Sequence, residues 1–182
     1  MLPFVRPSGL ETARLALRPV KHTDAADLFA DYTSNLDIAR YLPWRRHHTQ
    51  SETEAMVRYG EDLAINRSAY LLAITLRTKT DKPIGLLNIG NSEHGISIGF
   101  GLTRRGWGSG YGSEVVAYIT GWLLDQPPVW RVWGYCDEEN EASVKVMTRA
   151  GMHFEGKLRR FAIHPNLSPE PRNCKLFASV RE

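Results

Sequence analysis

The stretch Thr103-Arg104-Arg105-Gly106-Trp107-Gly108-Ser109-Gly110-Tyr111-Gly112-Ser113-Glu114 places a glycine at every second position between two segments of different periodicity. Before it, Ile96, Ile98, Phe100 and Leu102 recur at period 2, which predicts a strand from Gly95 to Leu102. After it, Val115, Val116, Ile119, Trp122 and Leu123 recur at helical spacing until Pro127 and Pro128 stop the helix. Glycines let the turn adopt positive φ and let a ligand approach the backbone closely. The helix that follows leaves its first N–H groups unpaired, with a partial positive charge. Such a turn is an anion site that suits a pyrophosphate, and Arg104 and Arg105 add charge on the approach. A tight turn that merely packs a helix against a strand would use the same glycines, and this stretch alone leaves both readings open.

Two familiar phosphate motifs fail on spacing. A GxGxxG frame needs a third small residue, and the three available frames end at Tyr111, Ser113 and Val115; no frame gives GxxxxGK[ST]. Gly95-Ile96-Ser97-Ile98-Gly99 matches GxSxG literally, but a nucleophile elbow needs a sharp strand-to-helix turn at the serine, and Ser97 lies mid-strand.

The surrounding pattern mixes strands and helices. Residues 11–20 read as a first strand through Leu15, Leu17 and Val20. Thr23 and Asp24 open a helix with Ala26, Leu28 and Phe29 as its apolar stripe, and a loop carries Tyr41, Leu42, Pro43 and Trp44. Thr49 and Ser51 begin a second helix with Met56, Tyr59 and Leu63 on one face. Two runs, YLLAITLRT and PIGLLNIGN, flank a polar KTDK turn and read as a hairpin. VWRVWGYC is a further strand, Asn140 to Ala150 a short helix closed by Gly151, and two strands around Phe154–Ile163 and Lys175–Val180 finish the chain. The hairpins in the middle indicate an α/β sheet of mixed direction rather than a doubly wound parallel one.

A second constellation lies in CDEENEASVKVMTRAGM. On a helix Ser143 shares a stripe with Val146, Met147 and Ala150, so its hydroxyl points toward the sheet or the edge of the core. Asn140 sits one turn earlier, where it can cap the helix on the N–H of Ser143. Capping and back-bonding to the preceding turn would explain these two residues without a ligand.

Taken together, the glycine turn, Asn140-Glu141-Ala142-Ser143, and Ala150-Gly151-Met152 with Glu155-Gly156-Lys157-Leu158-Arg159 resemble the GNAT superfamily of N-acetyltransferases. More narrowly they resemble its RimJ/RimL branch, whose named members acetylate N-termini of ribosomal proteins. The resemblance implies one domain over residues 1–182, with a mixed, mostly antiparallel twisted sheet of about 6–7 strands flanked by about 4 helices. It implies acetyl-CoA as co-substrate, with no metal. The backbone from Gly108 through Ser109, Gly110, Tyr111 and Gly112 to Ser113 would cradle the pyrophosphate, with Arg105 adding charge. Leu102 and Thr103 would pair with the pantetheine arm, Asn140 would contact CoA, and Ser143 would face the thioester sulfur. Trp107 stands where the family has Gln or Arg, and Ser97 where many relatives carry a carboxylate. Glu93 and His94, just upstream, become the candidate bases, with Ser97 and Trp44 facing the acceptor. The acceptor would be a peptide N-terminus or a small amine, the fallback function a non-catalytic acyl-CoA-binding module, and homodimerisation is left open.

Composition excludes little. The net charge of +3 permits an anionic ligand and demands none. No run of 18 apolar residues exists, so no membrane helix is expected, and Arg6, Pro7 and Arg14 interrupt any N-terminal leader. Cys136 and Cys174 form no CxxC pair, which suits a reducing cytoplasm. The six histidines show no metal-ligand spacing and are expected at the surface. Trp44, Trp130, Trp133 and Tyr135 could form a stacking platform for nucleic acid, but core packing and a pocket lining account for them better.

Overall fold

The structure, a computed structural model, describes residues 7–182. Arg6, one of the residues read as interrupting a leader, and the first residues of the expected domain lie outside them. In chain order the elements are β1 (Leu10–Glu11), β2 (Leu15–Pro19), α1 (Ala25–Leu28), α2 (Leu36–Ala39), α3 (Gln50–Ile65), β3 (Ala69–Leu76), β4 (Lys79–Ser92), β5 (Gly95–Leu102), α4 (Tyr111–Leu124), β6 (Arg131–Asp137), α5 (Glu141–Arg149), β7 (His153–Ala162) and β8 (Arg172–Val180). Among the described residues these strands form one sheet in the order β1-β2-β3-β4-β5-β6-β8-β7.

Every neighbouring pair in that sheet is antiparallel except β5 and β6. That parallel pair touches only at Ile96↔Val132 and Ser97↔Trp133. Beyond this point β5 stays with β4 as far as Gly85↔Leu102, and β6 stays with β8 as far as Asp137↔Cys174. The two strands therefore fork, and each presents an unpaired backbone edge to the gap. At the fork the chain needs Gly134, because a Cβ there would lie 2.9 Å from the carbonyl oxygen of Ile98. Unpaired strand edges are ready partners for an extended ligand with amide groups of its own.

The alternation of side chains assigns the two faces. Ile96, Ile98, Val132 and Cys136 point into the larger core with Val115, Val116, Ile119 and Leu123 of α4. Ala73 and Leu86 point the other way, into a second core with Leu28, Tyr32 and Val57 from the early helices. Full burial of each large aliphatic side chain contributes on the order of 1.5–3 kcal/mol, which fixes α4 and the turn before it against the sheet.

Tertiary structure overrides the sequence pattern in three places. The expected strand over 11–20 is split into β1 and β2, because the Thr12 hydroxyl accepts the N–H groups of Arg14 (3.3 Å) and Leu15 (2.9 Å) and turns the chain. This raises the strand count to eight. The first helix breaks into a short 3-10 turn, α1 and a π-type turn over Phe29–Thr33, with Ala25 and Leu28 buried and Ala26 exposed. α3 begins at Thr49 as its capping box predicts, with Glu52 accepting the Thr49 N–H at 2.8 Å. Its buried face, however, is Thr53, Val57, Gly60 and Ala64, while Tyr59 is exposed. The small residues win because α3 lies close on β3: a Cβ at Gly60 would meet Leu71 at 2.9 Å. No described helix is long and apolar enough to cross a membrane.

Candidate active site

Both readings of the glycine turn hold, at different glycines. Gly108 (φ 74°) and Gly110 (φ 79°) occupy the left-handed region, which a β-substituted residue enters at a cost. Gly112 instead serves packing, since a Cβ there would lie 3.1 Å from Val146 of α5. The turn ends with Gly110 as N-cap of α4, and the first bond of the helix runs from the Glu114 N–H to the Gly110 carbonyl at 3.1 Å. The backbone N–H groups from Gly108 to Ser113 have no acceptor among the described residues. They form a row of free donors at the positive end of a fourteen-residue helix.

Residues far away in sequence hold this row in place. The Arg14 guanidinium donates to the Ser109 carbonyl (3.0 Å), binds Glu114 through Nε (2.7 Å), and lies over the Tyr111 ring at 4.5 Å. Thr12 also donates to Glu114. Burial pushes the Glu114 carboxyl up, but the Thr12 and Arg14 hydrogen bonds outweigh it and hold the group below the ordinary carboxylate range. On the other side of the turn Arg104 pairs with Asp37 and Arg105 with Asp31, which ties the early helices to the end of β5. The Trp107 indole donates to the Leu102 carbonyl at 2.9 Å.

Where β6 ends, Asp137 organises the turn into α5. It is fully buried and takes a forked contact from Arg172, with Nε–Oδ2 2.6 Å and Nη2–Oδ1 3.2 Å. Its second role is local: Oδ1 accepts the Glu139 N–H (3.0 Å), and its carbonyl accepts the Asn140 N–H (2.9 Å). Asn140 then caps α5 on the Ser143 N–H at 3.1 Å, as expected from sequence. This chain of bonds presents Asn140 and Ser143 to the fork.

Two clefts meet there. The first, about 500 Å³, is lined by the glycine turn, by Phe100, Gly101 and Leu102 of β5, and by Asn140, Ser143, Lys145 and Arg149. The second, about 270 Å³, runs along the other side of the fork past Ser97, Gly99, Trp133, Tyr135 and His164. Tyr41, Phe100, Asn140 and Ser143 line both.

Of the sequence-predicted residues, Leu102, Gly108, Gly110, Tyr111, Gly112, Ser113, Asn140 and Ser143 line the first cleft, and Ser97 the second. Others fall elsewhere. Thr103 is buried, and Arg105 turns to Asp31. Ser109 is engaged through its carbonyl by Arg14. Trp44 packs into the second core beside Tyr32, leaving Tyr41 and Pro43 to form the cleft wall. Glu93 and His94 sit in the turn before β5, about 25 Å from Leu102 at the rise of an extended strand, and line neither cleft. Sequence reading missed Arg14, Tyr41, Asp137, Lys145, Arg149 and His164. Lys145 and Arg149 could have been found, since they lie at i, i+4 on the helix that carries Ser143.

A family model described as "Acetyltransferase (GNAT) domain" matches residues 14–153. The chain belongs to the GNAT acetyltransferase family. A curated relative, the Bacillus licheniformis protein p20, named an N-acetyltransferase, is 28% identical over 84% of this chain and 86% of its own. The fold of this GNAT acetyltransferase is shared by a solved structure of RimL, a ribosomal L7/L12 alpha-N-protein acetyltransferase in complex with coenzyme A. The TM-score is 0.78 at 20% identity, over 93% of this chain and 95% of that one. It is shared too by the microcin C7 self-immunity acetyltransferase MccE in complex with acetyl-CoA and AMP, with TM-score 0.84 at 19% identity, over 96% and 97% of the two chains.

His164 corrects the expectation that the histidines of this GNAT enzyme lie at the surface. It is 2% exposed, with Nε2 3.7 Å from Asp137 Oδ2 and 3.8 Å from the Cys174 thiol. Burial lowers its pKa below the ordinary histidine value, the Arg172 charge adds to this, and Asp137 opposes it. The folded state therefore binds the His164 proton less readily than the unfolded chain. Its contribution to stability is fully present above about pH 6.5 and is lost as the pH falls through the lower folded-state value. In a series of urea melts from pH 8 to pH 5, wild-type stability should decline below about pH 6.5. His164→Gln should flatten that decline, and an unchanged slope in the variant would refute the assignment.

Proposed function

We propose that this acetyltransferase moves the acetyl group of acetyl-CoA to a primary amine by direct attack in a ternary complex, with a peptide N-terminus or a small amine as acceptor. The observation that carries the reading is the row of free N–H groups from Gly108 to Ser113, opening into a cleft that leads past Ser143 into a second cleft. In this reading the row holds the diphosphate, each charge-assisted bond adding about 1.5–3 kcal/mol, and Lys145 and Arg149 add positive charge at the rim. The edge of β5 from Phe100 to Leu102, where the Trp107 indole already occupies the Leu102 carbonyl, meets the pantetheine amides as a neighbouring strand would. Bound acetyl-CoA supplies the activated thioester.

The residues at the junction suit direct attack better than a covalent relay. Cys136 is the thiol that lines the second cleft among the described residues, and burial pushes it up to about 12, which leaves it a poor nucleophile. Ser143 has no histidine or carboxylate bonded to its hydroxyl to activate it. The amine lone pair attacks the carbonyl carbon, the C–S bond breaks, and the amine proton passes to water. A backbone N–H on the β5 edge takes the developing oxyanion, and the Ser143 hydroxyl donates to the sulfur as it leaves as thiolate. An α-amine, with a pKa of roughly 7.7–8.0, is partly neutral at pH 7 and can react without a strong base. That matches a second cleft lined by no carboxylate among the described residues. The two free, buried cysteines support a cytoplasmic location.

Thiol-release kinetics and calorimetry test the role of Ser143. Ser143→Ala should lower kcat by about 100-fold while the CoA dissociation constant changes less than about twofold. Equal losses in both would mean that Ser143 only packs or caps α5.

A further inference from the structure

The walls of the second cleft say more about the acceptor than the expectation of an amine does. Its polar lining is Asn88, Ser97, Asn140, Ser143 and His164, and among the described residues no Asp, Glu, Lys or Arg side chain lines it. The rest is aliphatic, glycine or aromatic, with Tyr41, Phe100, Trp133 and Tyr135 as its rings. On β6, Val132 and Cys136 face the larger core, so Trp133 and Tyr135 point to the opposite face of the sheet; the cleft runs through the fork and takes its lining from both faces, Trp133 and Tyr135 on one and Ile98, Cys136 and Met147 on the other. The Trp133 indole is pinned by a bond from Nε1 to the Ser92 hydroxyl at 2.9 Å. It stacks on Tyr135 with centroids 6.2 Å apart and planes at 26°, and Phe161 meets Tyr135 edge-on at 5.0 Å. Phe161 is 46% exposed, which extends the aromatic wall outward past Tyr135.

Building on the reading of this cleft as the acceptor side, we infer that the acceptor is a single primary amine carried beside a flat, uncharged aromatic ring. One ammonium can be held over aromatic faces by cation–π attraction before it loses its proton. A second or third ammonium would be taken out of water here with no carboxylate to meet it, at a desolvation cost of several kcal/mol each. Polyamines and aminoglycosides are therefore excluded by the lining. A ring fits the same walls by offset stacking on a rigid indole that loses no rotamer freedom on binding. The size agrees. A cleft of about 270 Å³ lies just below the roughly 300–1,000 Å³ of drug-sized sites, which suits one ring and a short amine arm. That chemistry can come from a free arylalkylamine or from an aromatic residue at a peptide N-terminus.

Initial rates of thiol release at saturating acetyl-CoA decide between these sources and against the alternatives. The panel is 2-phenylethylamine, tryptamine, the tripeptides Phe-Gly-Gly and Ser-Gly-Gly, spermidine and kanamycin. At least one ring-bearing amine should exceed Ser-Gly-Gly, spermidine and kanamycin in kcat/KM by about tenfold or more, the size of effect a good aromatic contact supports. Phe-Gly-Gly ahead of phenylethylamine identifies a peptide source, and the reverse order a free amine. Trp133→Leu should raise KM for the best ring-bearing amine about tenfold with CoA affinity unchanged, and Trp133→Phe should restore most of it. Spermidine, kanamycin or Ser-Gly-Gly matching the ring-bearing amines, with CoA binding intact, would overturn this inference and leave the proposed function standing. Absence of CoA binding would remove both.

Discussion

Replacing Gly110 by valine is expected to raise the dissociation constant for CoA by about 100-fold or more, equivalent to about 2.7 kcal/mol. Gly110 holds φ 79° at the point where the turn becomes α4. A β-branched residue there costs on the order of 1–3 kcal/mol in backbone strain, and relief of that strain rotates the adjacent N–H groups out of line. The loss should fall on binding more than on folding. A Cβ at this position meets nothing closer than the Arg14 guanidinium at 3.6 Å, an ordinary contact, so the protein itself has room for the side chain. A diphosphate held by this turn would not, because the turn is exposed on the side that opens into the cleft. Calorimetric titration of CoA, paired with a thermal melt, checks both halves. A variant that melts a few degrees lower and binds CoA as tightly as wild type would show that the turn is a packing device only.

The largest loss of stability is expected at Asp137. Asp137→Ala removes a fully buried carboxylate and leaves Arg172, whose side chain is 23% exposed, with only its outer contact to the half-exposed Glu139 (3.0 Å). Breaking such a pair from one side typically costs 3–5 kcal/mol. For a chain of this size that corresponds to a drop in Tm on the order of 10 °C. The same change releases the Glu139 N–H that Asp137 holds in the turn ahead of Asn140, so kcat should fall even where the variant stays folded. Adding Arg172→Met should recover part of the stability, because the inner side of the guanidinium no longer faces an empty site, but not the turnover, because the turn stays unbraced. Chemical denaturation of the two variants reads the first effect, and thiol release reads the second. A loss below about 1 kcal/mol for Asp137→Ala would place this pair among ordinary surface ion pairs. The pH dependence has a fixed sign. Burial raises the Asp137 pKa, but the Arg172 contacts outweigh it and leave the group below its ordinary value. Its contribution is therefore intact above about pH 3.9 and disappears as the pH falls further.

What could be read in the sequence follows a physical division. The glycine turn, α4 and the Asn140 cap were legible because their causes are local: φ freedom, a period of 3.6, and a side chain that reaches three residues along. The parallel contact of β5 with β6, which makes the fork, joins residues 36 apart in register. Nothing in the alternation of either strand marks where their pairing stops. Arg14 and Glu114 are 100 residues apart, and Asp137 and Arg172 are 35 apart, so each looks like one more surface charge until the fold brings its partner. The α3 face is rotated from the expected one for a related reason, with Met56 at its margin against the second core and Tyr59 outside it. Met56, Tyr59 and Leu63 form the more apolar stripe, but close approach to β3 selects the small residues Thr53, Gly60 and Ala64. Glu93 and His94 are close in sequence to Ser97, where many relatives carry a carboxylate, but the extended strand carries them away from the junction.

Parallel calorimetric titrations with CoA and with pantetheine, which lacks the diphosphate and the nucleotide, test the free-donor row most directly. If the backbone from Gly108 to Ser113 grips the diphosphate, CoA should bind at least about 100-fold more tightly than pantetheine, and the difference should shrink as salt is raised. Equal affinities for the two, or no heat from CoA at millimolar concentration, would contradict it.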